Sequence, residues 1–150
     1  MSNRDIDDES VETRTDHDPN PGEQGKWLSA VIGLLGLWMI VQGFLFDLVA
    51  TQMWNDVIVG ALLAAVGAYN YYRRSDEQVG NVGAAAVAAL LGLWLIAAPF
   101  VFGADAGFTE AANELGFWND IVVGLIALAA GAYSAYQSRD RRSDARRTAA

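Results

Sequence analysis

Trp54-Asn55-Asp56-Val57-Ile58-Val59-Gly60 returns 64 positions later as Trp118-Asn119-Asp120-Ile121-Val122-Val123-Gly124. Each copy leads into an apolar run that closes on Gly-Ala-Tyr, at residues 67–69 and 131–133. A phrase repeated at fixed spacing marks a duplicated supersecondary unit. Upstream the match continues at an offset of 56: Leu34-Leu35-Gly36-Leu37-Trp38 pairs with Leu90-Leu91-Gly92-Leu93-Trp94. Ile40, Phe44 and Phe46 pair with Ile96, Phe100 and Phe102. The chain therefore divides into two like halves, each a pair of apolar segments with Trp-Asn-Asp opening the second.

The charges are segregated. The 150 residues are 53% hydrophobic and 19% charged, with a net charge of −8. Eight acids (Asp5, Asp7, Asp8, Glu9, Glu12, Asp16, Asp18 and Glu23) crowd the first 26 residues, whereas 27–46, 57–72, 79–102 and 121–136 carry no charge. A soluble helix mixes polar positions into every turn to make a wet face; runs of this length without one fit the ~20 residues needed to cross ~30 Å of hydrocarbon. The second run is short, and spans only with Trp54 and the Tyr69-Tyr71-Tyr72 group at the two interfaces, where amphipathic aromatics prefer to lie.

These features predict an all-α membrane protein. Its four transmembrane helices come from two tandem two-helix repeats with pseudo-two-fold symmetry about the membrane normal, as in parallel repeats. The expected divisions are a disordered acidic tail over 1–25, repeats over 26–74 and 75–138, and a basic tail over 139–150. Ser75-Asp76-Glu77-Gln78 reads as a capping box that starts the third helix. Thr109–Leu115, closed by Gly116, reads as a short surface helix in the second link.

Lysine and arginine fix an orientation. Three lie in the N-terminal tail, two (Arg73, Arg74) between the halves and five in the C-terminal tail, with none in the 47–56 and 103–120 links. The positive-inside rule places both termini in the cytoplasm of a cell whose plasma membrane the chain crosses, and both Trp-Asn-Asp phrases outside.

The duplicated pattern resembles the SPW-repeat family of small integral membrane proteins, built from a two-helix repeat and named for a Ser-Pro-Trp motif late in its first helix. The matching stretch is Gly92-Leu93-Trp94-Leu95-Ile96-Ala97-Ala98-Pro99-Phe100, with Trp118-Asn119 opening the partner helix. The motif is degenerate here, as Ala98-Pro99-Phe100 and Gln42-Gly43-Phe44. The resemblance implies the fold and brings no activity with it.

Asn55, Asp56, Asn119 and Asp120 read first as helix caps, since Asn and Asp accept from free backbone donors and a carboxylate suits the positive helix end. Their functional reading is a ring of carboxylates at the outer mouth, collecting cations. Trp38 and Trp94 read as packing between the halves, with Gln42 one turn on to receive the Trp38 indole N–H, although Ala98 fills that place in the second half. Pro99 should bend the third helix and free a carbonyl. Small residues at helical spacing allow close helix contact, the main route to association in lipid: Ser29, Gly33 and Gly36 in the first helix, Ala85, Ala89 and Gly92 in the third. Gly60, Ala64, Gly67 and Ala68, and Gly124, Ala127, Gly131 and Ala135, do the same for their partners. Arg73, Arg74, Arg139, Arg141 and Arg142 are placed to touch lipid headgroups.

The chain has no cysteine and a single histidine, His17 in the acidic tail, so thiolate, haem and clustered-ligand metal chemistry lack their residues. No nucleophile, base and orienter come together. The expectation is a structural or accessory membrane protein, not an enzyme, without cofactor, whose partners are the lipid bilayer and other copies or membrane subunits rather than nucleic acid. The alternative is a small channel or carrier with Asp56 and Asp120 at its acidic outer mouth.

Overall fold

The computed structural model describes residues 25–76, 78–102 and 111–149. The acidic tail, His17 and most of the second link lie outside the described residues. Those described form four helices: α1 Lys26–Leu45, α2 Ala50–Ser75, α3 Val82–Phe102 and α4 Ala111–Thr148; no strand occurs among them. Three are long and apolar enough to cross a membrane: α1, α3, and α4 from Glu114 onward. In α2 the apolar run is broken by Asn55 and Asp56 near one end and Asn70 near the other.

Glycine fixes both ends of the packing problem. Gly25 opens α1 at φ +88, a left-handed backbone that side chains with a Cβ adopt only at a cost. Within the bundle, α1 lies closest to α2 and α3 to α4, while α2–α3 and α1–α4 form the looser second contact. The close pairs are seamed by glycine. A Cβ on Gly36 would strike the backbone of Ala64 and Gly60, and one on Gly60 would stand 2.6 Å from the Gly36 carbonyl oxygen. A Cβ on Gly67 would run into Gly33. In the second pair Gly92 abuts Leu128 and Gly124, a Cβ on Gly124 would lie 2.7 Å from the Gly92 oxygen, and Gly131 rests on Ala85 and Ala89. The seam on α2 runs through Gly60, Ala64 and Gly67; Ala68 faces outward.

Two expectations about helix ends are corrected. Ser75 does not start α3: it is the last residue of α2, and its Oγ donates back to the Tyr71 carbonyl. The cap of α3 is Asn81, whose Oδ1 accepts from the backbone N–H of Gly83 at 2.8 Å and Ala84 at 3.3 Å. Asn81 is itself held by Asn70, which accepts its N–H at 2.9 Å and donates to its carbonyl at 3.4 Å. A side chain of α2 thus closes the turn that starts α3. Nor is there a separate short helix ending at Gly116: α4 runs through that glycine from Ala111, and it carries the basic tail onward to Thr148.

The bundle is apolar outside and polar at its buried ends. Leu34, Leu37, Phe44, Ile58, Leu62, Leu90, Leu93, Phe100, Val122 and Leu125 are exposed, while Gln42, Asp56, Asn70, Arg74, Asp120 and Ser134 are buried. A protein bathed in water inverts that distribution; one surrounded by hydrocarbon need not. Between the polar ends the core is filled by Ile32, Met39, Val59, Leu63, Ala88, Leu95, Val123 and Ala127.

Candidate functional site

Each Trp-Asn-Asp phrase is bonded to the first helix of the other half. Trp38 Nε1 on α1 donates to Asn119 Oδ1 on α4, and Trp94 Nε1 on α3 donates to Asn55 Oδ1 on α2, both at 2.9 Å. Each indole also meets a phenylalanine edge to face, Trp38 with Phe46 and Trp94 with Phe102. The indoles are therefore clasps at the rim rather than core. They are 42% and 39% exposed, so they join the two halves, as expected, but from part-exposed positions rather than as buried packing. Gln42 does not serve Trp38; its Nε2 donates to Asp56 Oδ2 at 2.7 Å.

The Asn-Asp pairs are not caps. Helix α2 begins at Ala50 behind Val49, and α4 at Ala111, so Asp56 and Asp120 sit well inside their helices. Both are fully buried. Asp56 accepts from Gln42 and, through Oδ1, from Asn55 Nδ2 at 3.2 Å. Asp120 accepts from Gln52 Nε2 at 3.4 Å. The tryptophans hold the Asn55 and Asn119 oxygens outward. The Asn55 amide nitrogen is thereby turned to the neighbouring acid, and that of Asn119 reaches Met39 Sδ at 3.7 Å. Polar partners for the acids are thus supplied by two glutamines and Asn55, and an ionisable side chain does enter the helical interior.

Gln52 was missed, and it explains an asymmetry between the halves. Gln42 corresponds to Ala98, which leaves Asp120 without a matching amide from α3. Gln52, one turn before Asp56 on α2, fills that role from the other hairpin. Its own counterpart is Gly116, and a Cβ there would stand 3.0 Å from Gln52 Nε2. The lost side chain makes room for the substitute. Since residues at i and i+4 share a helix face, Gln52 ties Asp120 to the face of α2 that carries Asp56.

At the opposite end, Arg74 is buried rather than laid against headgroups. Its Nη2 donates to Ser134 Oγ at 3.0 Å and Ser138 Oγ at 3.3 Å on α4, and Gly25 and Gly80 leave space for its guanidinium. Ser134 and Ser138 were missed, although they stand where Asn70 and Arg74 stand in the first half. One guanidinium serves both halves, and serine takes the place of a second. Arg73 reaches Tyr69 Oη at 3.4 Å. Arg139 and Arg142 are exposed and, with Ser143 and Arg146, border a cleft against Val82; Arg141 is half-buried. Pro99 is buried inside α3, which continues through it to Phe102. Among the described residues no group of three His, Cys, Asp or Glu side chains gathers to hold a metal.

Apolar helices with an apolar exterior and buried polar ends define a multi-pass helical membrane protein. Residues 26–140 match the family model for the SPW repeat domain, and the chain belongs to that family. No curated protein and no solved structure matches it.

Proposed function

We propose that the protein is a structural or accessory membrane component, a four-span bundle without catalytic activity that packs against itself or partner subunits in the plasma membrane. The observation that carries this reading is the filled apolar middle. Ile32, Met39, Leu63 and Leu95 are at most 1% exposed and separate the Asp56–Asp120 end from the Arg74 end. A solute crossing the bundle would have to open a close-packed layer, whereas a conduit needs a wetted path.

Four spans are favoured over three by how α2 is held. It is seamed to α1 by the same glycine contacts that join α4 to α3. The exposed Trp54 and Tyr72 on α2 are 18 residues apart, about 27 Å at the helical rise, close to the ~30 Å hydrocarbon thickness. The reciprocal Trp–Asn bonds and equivalent glycine seams support a pseudo-two-fold relation about the membrane normal. The basic-residue bias supports cytoplasmic termini.

The test is flux. Liposomes holding the wild-type chain should leak ions no faster than protein-free liposomes, and Asp56→Asn/Asp120→Asn should change nothing. Leak above that background, removed by the double substitution, would overturn the accessory reading in favour of a channel.

A further inference from the structure

The buried cluster holds more oxygen acceptors than the described residues give it donors. Trp38 and Trp94 are committed to the asparagine oxygens, and Gln42, Gln52 and Asn55 donate to carboxylate oxygens. Two buried oxygens then accept no hydrogen bond among the described residues, Asp120 Oδ1 and Gln42 Oε1. The second belongs to an amide rather than an acid: Gln42 is fully buried, and because its Nε2 is held on Asp56, the oxygen of the same amide lies beside that carboxylate.

Charge is equally unbalanced. No lysine, arginine or histidine occurs between Lys26 and Arg73 or between Arg74 and Arg139. Along α2 the nearest guanidinium to Asp56 is 17 residues away, about 25 Å. Two carboxylates taken out of water need a positive partner and good geometry to be tolerated, and buried ionisable groups in membrane helices mark ion or proton sites by default. A lone proton on the pair could satisfy one unpartnered oxygen. An ion with several ligands satisfies both, and draws on carboxylate and amide oxygens together, the donor set that hard cations select.

We propose that Asp56, Asp120 and the side-chain oxygen of Gln42 form a binding site for a hard, oxygen-seeking metal cation, of the sodium or calcium kind. This site goes beyond the packing role and stands whether or not the bundle self-associates or conducts.

The experiment is thermal unfolding of the purified full chain in detergent, followed by circular dichroism and tryptophan fluorescence. Sodium, calcium and potassium are each compared with choline at constant ionic strength and pH, and a metal-free series then spans pH. The midpoint should rise saturably with sodium or with calcium but not with choline, and the responding arm names the ion. Asp56→Asn/Asp120→Asn should stay folded and lose the response, and Gln42→Leu should weaken apparent affinity tenfold or more. Should the double variant fail to fold, Asp120→Asn alone decides, and a full response retained there overturns the site. So does a midpoint indifferent to every metal, or one raised only by acid, which would assign a shared proton instead. Binding is read here by melting and conduction by flux, so either reading can fail without the other.

Discussion

The smallest feature that joins the two hairpins is an indole bonded to an amide, made twice. Trp38 and Trp94 sit at the rim, where a neutral hydrogen bond contributes about 0.5–1.5 kcal/mol net. Trp38→Phe keeps most of the ring and removes the donor. In a double-mutant cycle with Asn119→Ala, the coupling energy should fall in that range, read from denaturant unfolding in detergent; a coupling near zero would mean the bond only decorates a contact made by the rings. Gly25 tests a different residue-scale cost. Its φ of +88 should make Gly25→Ala destabilising by about 1–2 kcal/mol. Crowding adds to that, because the new Cβ would stand 2.6 Å from Arg74 Nη1. Equal midpoints for variant and wild type would show that α1 can start without the left-handed turn.

At the scale of helices, glycine contacts separate sites where size is fatal from sites where it is not. A methyl on Gly36 meets backbone of α2, which cannot rotate away, so Gly36→Ala must part the two helices; overpacking of this kind costs about 1–3 kcal/mol. The control is Gly43→Ala on the same helix, whose Cβ would make ordinary contacts with Val57 Cγ2 at 3.4 Å and the Met53 carbonyl oxygen at 3.6 Å and should stay within about 0.5 kcal/mol of wild type. Similar losses for both would show that helix propensity, not the seam, governs the effect. Helical class was readable from the uncharged runs because a bilayer imposes length and hydropathy on one segment at a time. Helix ends were not. Trp-Asn-Asp looks like a start because the apolar run follows it, yet α2 begins at Ala50, and the polar residues are accommodated by burial against other helices. Small residues at helical spacing are visible in a sequence, but which backbone each one meets is not. Gln52 standing in for the amide lost at Ala98, with Gly116 making way, becomes visible only when the two halves are laid together.

For the whole molecule, the decisive question is whether α2 crosses. The family and three apolar helices make this a multi-pass membrane protein, and the placement of α2 sets the side on which everything after it lies. If α2 spans, Thr51 and Gln78 are on opposite faces of the membrane; if it lies in one interface, they share a face. The chain has no cysteine, so a single introduced thiol reports without background. Thr51 and Gln78 are both exposed, which makes Thr51→Cys and Gln78→Cys suitable reporters in intact cells treated with a membrane-impermeant maleimide. The basic residues at 73–74 and beyond 138 favour the cytoplasm for that end. Thr51→Cys should therefore be labelled from outside, and Gln78→Cys only after the cells are opened. Labelling of both from outside, or of neither, would leave α2 on one side and remove the four-span bundle. Labelling of Gln78→Cys alone would keep four spans and invert the orientation. The buried Arg74 gives the expected result a structural reason: joined to Ser134 and Ser138 on α4, it ties the ends of α2 and α4 to one level, so the side found for one helix end holds for the other.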